Sequence, residues 1–438
     1  MQTPPFHKLP EELIQSVLEE YVGSFEWSSL RFSEFLSEML PLTWVCSRWR
    51  HLSLQTPSLW SHLYFDNASD LIPGFLDIVH VILERSQSHP LWMKIRRDDL
   101  MEFNLLFAVI TLHMGRLHHL ELDLLEIPMS PILQAIRDQS SQLQTLIIVD
   151  LAGGPVLDLE NEEVSVPTLS HPNLRSMSLS MRWRVPQLPF RASDLDTLTL
   201  RIPAWAWDRL QTLLPLYPSI RHLRLDFNGT PMYEPDGYPI FVPSHGQFPT
   251  IPLPNLQTFQ TDDPSICFDL EITTASVLHL QDGDSPSEHS TWLDFYHDLL
   301  RTSTLLPSAV RWRRLEAHWA NIHTIRFSRI NYEHRDITVA LTASILACAA
   351  HVETVELTGC RGLWIILAAL VAGAADSALE SGKEPHERAA VCLPLLKKLV
   401  IIGRQANITT EMRELRTQRP ALEIVSLRAD GYGMDEAE

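Results

Sequence analysis

Apolar residues recur along the chain at positions i, i+3 and i+5. The pattern stands in LHHLEL from Leu117, LQTLII from Leu143, LRSMSL from Leu174, LDTLTL from Leu195 and IRHLRL from Ile220. It continues in LQTFQT from Leu256, ASVLHL from Ala275, IHTIRF from Ile322, VETVEL from Val352, LKKLVI from Leu396 and LEIVSL from Leu422. Side chains alternate along a strand, so i+3 and i+5 share one face, and position i is where the chain turns into that strand. Five copies carry a proline two residues before position i: Pro172, Pro218, Pro254, Pro394 and Pro420. Proline fixes φ and lacks an N–H, so it stops a preceding helix and pushes its neighbour into extended geometry. Between the copies the pattern predicts helices over 131–137, 205–214, 291–300 and 337–350, and a buried helix in the apolar run 363–375.

Copies of this kind, roughly 20 to 45 residues apart, resemble leucine-rich repeats. VETVELTGCRGL also places Cys360 at i+8 and Leu363 at i+11, as the repeat pattern L-x-x-L-x-L-x-x-N/C-x-L does, and Asn228 fills the i+8 slot of the Ile220 copy. Most other copies lack the Asn or Cys, so the repeats are degenerate. An ordinary α/β sheet with coincidental spacing is the competing expectation. Three inserts, 153–167, 229–252 and 376–390, read as loops from their proline, glycine or charged composition.

The first part of the chain follows a helical period instead. Pro10 opens a helix, Glu11 and Glu12 occupy the first turn where the macrodipole favours anions, and Leu13, Ile14, Val17, Leu18 and Tyr21 form an apolar stripe. Leu42, Val45, Cys46, Trp49 and Leu52 repeat the spacing. So short a bundle buries too little surface to stand comfortably alone and needs a partner or the following domain against it.

These residues resemble the F-box: LPEELIQSVLEEYV from Leu9, LPLTWVCSRWRHL from Leu40 and Leu59-Trp60 follow its order, with 24–36 as an insertion. SLWSHLYFDN and LERSQSHPLWMKI (Leu83 to Ile95) are similar to fungal F-box proteins, where such segments lead into the first strands of a repeat domain. The fold class expected is α/β: an all-helical F-box over 1–65, an irregular leucine-rich-repeat solenoid with a strand and a helix per repeat over 66–430, and an acidic tail over 431–438. The resemblance implies a substrate-recognition subunit of a cullin-RING ubiquitin ligase, with a Skp-type adaptor and a cullin scaffold as partners and a protein as substrate. It places adaptor docking on Leu9, Pro10, Leu13, Ile14, Val17, Leu18, Leu42, Val45, Trp49 and Leu52. Any one of these could equally build the module's core. The alternatives are an F-box protein that binds the adaptor but works as a scaffold outside ligation, and a leucine-rich-repeat interaction scaffold with no ligase role whose start acts only as a cap.

Charge and chemistry narrow the rest. With 35 Lys and Arg against 54 Asp and Glu the formal charge is −19 over 438 residues, which disfavours nucleic acid and anionic membranes as partners. The five cysteines (Cys46, Cys267, Cys348, Cys360, Cys392) are scattered and odd in number, against a disulfide framework or a structural zinc site. The N-terminus lacks the apolar core of a secretory signal and no apolar run reaches membrane length, so an intracellular address in cytoplasm or nucleus is expected. None of the common hydrolase, metalloprotease or phosphate-loop motifs occurs. The most enzyme-like cluster, His289, Asp294, His297 and Asp298, reads as an exposed helix face. No catalytic residue, metal or cofactor is expected. In a solenoid, i+4 and i+6 point away from the core. There Arg201, Arg224, Arg326 and Arg428, with Glu356, are the candidate substrate contacts, of which Arg201, Arg224 and Arg326 suit an acidic or phosphorylated segment; a solvated mixed surface is the competing expectation.

Overall fold

The structure is a computed structural model. It describes residues 9–25, 31–66, 74–97, 100–124, 129–149, 169–180, 190–203, 210, 213–228, 251–262, 270–281, 316–330, 339–375, 393–403 and 409–427. Two compact units divide at Leu195/Asp196, inside the stretch the sequence assigns to the repeats. Among the described residues the fold is mixed α/β, with five main parallel strands in the first unit, eight in the second, and one short parallel pair in each.

The first unit begins with helices α1 (Glu11–Gly23), α2 (Phe32–Trp44) and α3 (Ser47–Gln55). Strand β1 (His62–Phe65) follows, then α4 (Phe75–Arg85), β2 (Leu91–Arg97), α5 (Leu100–Thr111), β3 (Leu117–Leu124), α6 (Met129–Gln139) and β4 (Thr145–Val149). Beyond these come β5 (Leu169–Ser170), β6 (Ser176–Ser180) and β7 (Phe190–Arg191). The main strands lie in chain order β1-β2-β3-β4-β6, and β5 pairs with β7. Residues 1–65 are therefore not helical throughout, because 62–65 form a sheet strand in register with Trp92–Ile95. The proposed insertion 24–36 contains the start of α2, whose first turn is closed by the Arg31 N–H donating to Glu34 at 2.8 Å.

The helices share one core. Ile14, Leu18 and Val22 of α1 pack inward with Phe32, Phe35 and Met39 of α2 and with Leu52 and Trp60. Trp60 is its anchor: the indole N–H donates to the Ser53 carbonyl at 2.8 Å, Phe35 meets it edge-on and the Arg85 guanidinium lies 4.9 Å above the ring. Phe32 in turn touches Phe65 of β1 and Phe75 of α4.

The second unit holds β8 (Thr197–Pro203), β9 (His222–Asn228), β10 (Ile251–Pro252), β11 (Thr258–Thr261), β12 (Leu270–Glu271), β13 (Val277–Gln281) and β14 (Thr324–Ser328). Then come α7 (Val339–Ala347), β15 (Thr354–Thr358), α8 (Leu363–Ala375), β16 (Lys398–Ile402), α9 (Thr409–Gln418) and β17 (Glu423–Leu427). Eight strands run in the order β8-β9-β11-β13-β14-β15-β16-β17, all parallel, and β10 pairs with β12. Helices α6, α7 and α8 lie where the sequence predicts helices. The 291–300 helix falls outside the described residues, as do most of 205–214, the loops 153–167 and 376–390, nearly all of 229–252 and the tail.

Each of the eleven copies supplies one strand, and the turn before it repeats with them. The N–H of position i donates to the carbonyl of i−3 in copies such as Leu174 to His171, Ile220 to Tyr217, Leu256 to Leu253 and Leu396 to Leu393. The five prolines occupy the second place of this four-residue turn, where a fixed φ near −65° is wanted. Three asparagines at i−1 tie neighbouring copies together: Asn173, Asn255 and Asn321 donate to the carbonyls of Ser141, Pro218 and Thr273. Cys360 sits within donor distance of the Phe327 carbonyl of the preceding copy, at 3.4 Å. After β14, β15 and β16 the chain turns at one shared left-handed position, Arg329, Gly359 and Gly403, each N–H donating to the last carbonyl of the next strand.

The last copy departs from expectation. Strand β17 pairs Ile424 with Leu399 and Ser426 with Ile401, one residue out of step with the i, i+3, i+5 frame from Leu422. A one-residue slip exchanges the faces of a strand, so Val425 and Leu427 align with the outward Val400 and Ile402, and Leu427 is exposed.

Candidate functional site

Two surfaces emerge where the sequence placed binding: the N-terminal helices and the outward sheet face. On α1 the expected apolar stripe resolves into two. Ile14, Leu18 and Val22 face the core, while Leu13, Val17 and Tyr21, one position earlier at the same four-residue spacing, face out. Leu13 and Val17 are 52% and 51% exposed. Helix α2 adds Leu40 and Trp44, four apart, and Val45 follows; Trp44 and Val45 are 67% and 60% exposed.

Two contacts relate the helices that carry these residues. The Tyr21 hydroxyl donates to Glu38 at 2.7 Å at one end, and Arg48 approaches Glu11 at 3.8 Å at the other. The end of α1 therefore lies by the middle of α2 and its start by the beginning of α3, so α1 and α2 run antiparallel with both apolar edges outward. The hydrogen bond to Glu38 and the burial of the ring push the Tyr21 phenol above its usual range.

Of the sequence-derived docking residues, Pro10, Leu13, Val17 and Val45 are exposed, and Leu9, Leu42 and Trp49 are half-buried. Ile14, Leu18 and Leu52 are core side chains whose apolar atoms are already covered within the module, which corrects their placement on a contact surface. Tyr21, Leu40 and Trp44 join the surface instead. Tyr21 lay within the sequence stripe, but Leu40 and Trp44 escaped because treating 24–36 as an insertion left the phase of α2 undefined.

The outward sheet face is laddered with charge pairs. In the first unit Lys94 meets Glu121 at 2.8 Å and Arg96 meets Asp123 at 3.4 Å, across adjacent strands. In the second, Arg201 and Arg224 both approach Asp226, at 3.9 and 2.9 Å, and Arg326 binds Glu356 at 2.7 Å. These arginines face out as expected, yet each already has a carboxylate of its own sheet. Capture of an acidic or phosphorylated segment would have to compete with those pairs. Arg428 lies outside the described residues.

A ring stack crosses β1, β2 and β3. The imidazoles of His62 and His119 lie 5.5 and 5.2 Å from Trp92, the second nearly parallel to it. Burial, with His89 and His119 nearby, pushes the His62 imidazole down to about 4. An unfolded histidine titrates near 6.5, so between those values the unfolded chain binds more protons, and the fold loses stability as pH falls through the window. His62→Phe is expected to keep the stack and lessen that loss. Urea midpoints for wild type and variant at pH 7.5 and pH 5 check it; an equal acid shift in both contradicts it.

Among the described residues no group of three or more His, Cys, Asp or Glu side chains is placed to hold a metal ion, and no helix is long and apolar enough to cross a membrane. His289, Asp294, His297 and Asp298 lie outside the described residues. No protein-family model matches the chain, and no curated protein matches it.

Proposed function

We propose that this chain is an F-box protein that recruits a protein substrate to a cullin-RING ubiquitin ligase, docking a Skp-type adaptor through α1 and α2. The observation that carries the proposal is the pair of antiparallel apolar stripes, Leu13-Val17-Tyr21 and Leu40-Trp44-Val45, left uncovered on a module whose core is otherwise closed. Burying such side chains contributes roughly 1.5–3 kcal/mol each, which makes a two-helix surface of this size a natural seat for partner helices.

The eleven copies, with their common turn, asparagine ties and left-handed corners, support a leucine-rich-repeat solenoid as the substrate-holding part. No step of catalysis belongs to the chain in this proposal. Tethering raises the effective concentration of substrate lysines near a charged conjugating enzyme, and that proximity is the mechanism. Gel filtration of the full chain with purified Skp-type adaptor and cullin scaffold tests it. Co-elution of all three is expected. A folded chain that elutes alone contradicts it and leaves a repeat scaffold.

A further inference from the structure

Strand β17 ends the ladder of the second unit: among the described residues it pairs with β16 and has no strand on its other side. The Glu423 N–H donates to the Lys397 carbonyl and the Gly403 N–H to the Leu427 carbonyl, so residues 423, 425 and 427 turn their backbone groups toward β16. Direction alternates along a strand, which turns the N–H and C=O of Ile424 and Ser426 to the open edge. Coverage falls off with the pairing. Ile424 is half-buried and Ser426 exposed, whereas Leu399 and Ile401, which they face on β16, are 0% and 1% exposed.

The side chains narrow what this edge fits. Outward positions on earlier strands carry Arg224 and Asp226, His279 and Gln281, and Arg326 and Ser328. On β16 and β17 they become Val400, Ile402, Val425 and Leu427, with Lys398 and Glu423 paired at 3.9 Å at one end. An open edge bordered by apolar side chains invites a further strand. A second β17 meets it with every backbone group matched. Run antiparallel about a two-fold axis at Val425, the Ile424 N–H of each copy donates to the Ser426 carbonyl of the other, and the Ser426 N–H to the Ile424 carbonyl. The larger Ile424 then lies beside the smaller Ser426. Val425 meets its own copy at the non-hydrogen-bonded position, where side chains come closest, and Leu427 lies diagonal to it, so the two apolar patches merge. We infer that two copies of this chain join β17 to β17, antiparallel, into one continuous sheet. The contact is separate from the α1–α2 surface and stands whether or not an adaptor binds there.

Sedimentation of the full chain tests it. A monomer–dimer equilibrium is expected, shifted to monomer by dilution and to dimer by added salt, because the contact is apolar while a charge of −19 on each copy opposes association. Ser426→Pro removes a donor that points only to the open edge, a change edge strands tolerate, and is expected to weaken the dimer at least tenfold. Ser426→Ala keeps the N–H and is expected to leave the dimer unchanged. Leu427→Lys, at a site 50% exposed, is expected to weaken it at least tenfold by placing charge in the patch. An unchanged circular-dichroism melt shows these variants folded. Val17→Asp, Trp44→Asp is expected to leave the dimer intact. A chain monomeric throughout, a dimer that salt dissolves or that either edge variant leaves intact, or assemblies larger than a dimer overturn the inference. So does slow hydrogen exchange of the Ile424 and Ser426 amides in the monomer, because another part of the chain would then cover the edge.

Discussion

Val17→Asp, Trp44→Asp is expected to weaken binding of a Skp-type adaptor at least 100-fold, about 2.7 kcal/mol, with no loss of thermal stability. Both side chains are exposed, so the charges cost the free protein little and fall on the surface the adaptor would bury. Charge in a desolvated contact is costly unless it is paired. Ile14→Asp is the informative contrast. Ile14 is 1% exposed, so the same chemistry one stripe over should unfold the helices rather than spare them. Calorimetric titration beside a melting curve separates the outcomes. Undiminished binding by a folded double variant would remove the α1–α2 surface as the adaptor seat.

The second large effect belongs to the core. Trp60→Ala is expected to cost about 3–5 kcal/mol, a large part of the roughly 5–15 kcal/mol that holds a domain folded. Trp60 fills the space between α2, α3 and α4, satisfies the Ser53 carbonyl and carries Arg85 on its face. Removing the ring leaves a cavity and an acceptor without its donor at once. The urea midpoint of the first unfolding transition, read by circular dichroism, should fall accordingly. A shift worth less than 1 kcal/mol would show that the helices do not depend on this anchor.

Much of the sheet was legible because the apolar frame i, i+3, i+5 is a backbone property repeated eleven times. It marks β3 and every later main strand. Strands β1 and β2 carry no copy of it. They were foreshadowed only by the fungal F-box resemblance of the segments around Trp60 and Trp92. The frame failed at β17, where LEIVSL offers apolar residues on both faces and pairing with β16 chose the other register. The buried i−3 position, held by residues as unlike as Ser140, His171, Tyr217 and Trp319, had no common chemical mark, so its constancy shows only in the turn.

The docking surface was half legible. A helical stripe read from sequence gives the apolar side of α1, but not how much of that side its own neighbours cover. Only packing assigns Ile14 and Leu18 to the core and Leu13 and Val17 to solvent. For the arginines, period two predicts the outward direction, whereas the strand register decides that Arg201 meets Asp226 and Arg326 meets Glu356. Register depends on turn lengths between copies, which vary here.

The most direct test of the central claim is a hydrogen-exchange footprint of a Skp-type adaptor on the full chain. Protection is expected in residues 11–23 and 32–46, with the sheet strands and α5 unchanged. Protection confined to the repeats, or none at an adaptor concentration that saturates an established F-box protein, would contradict it.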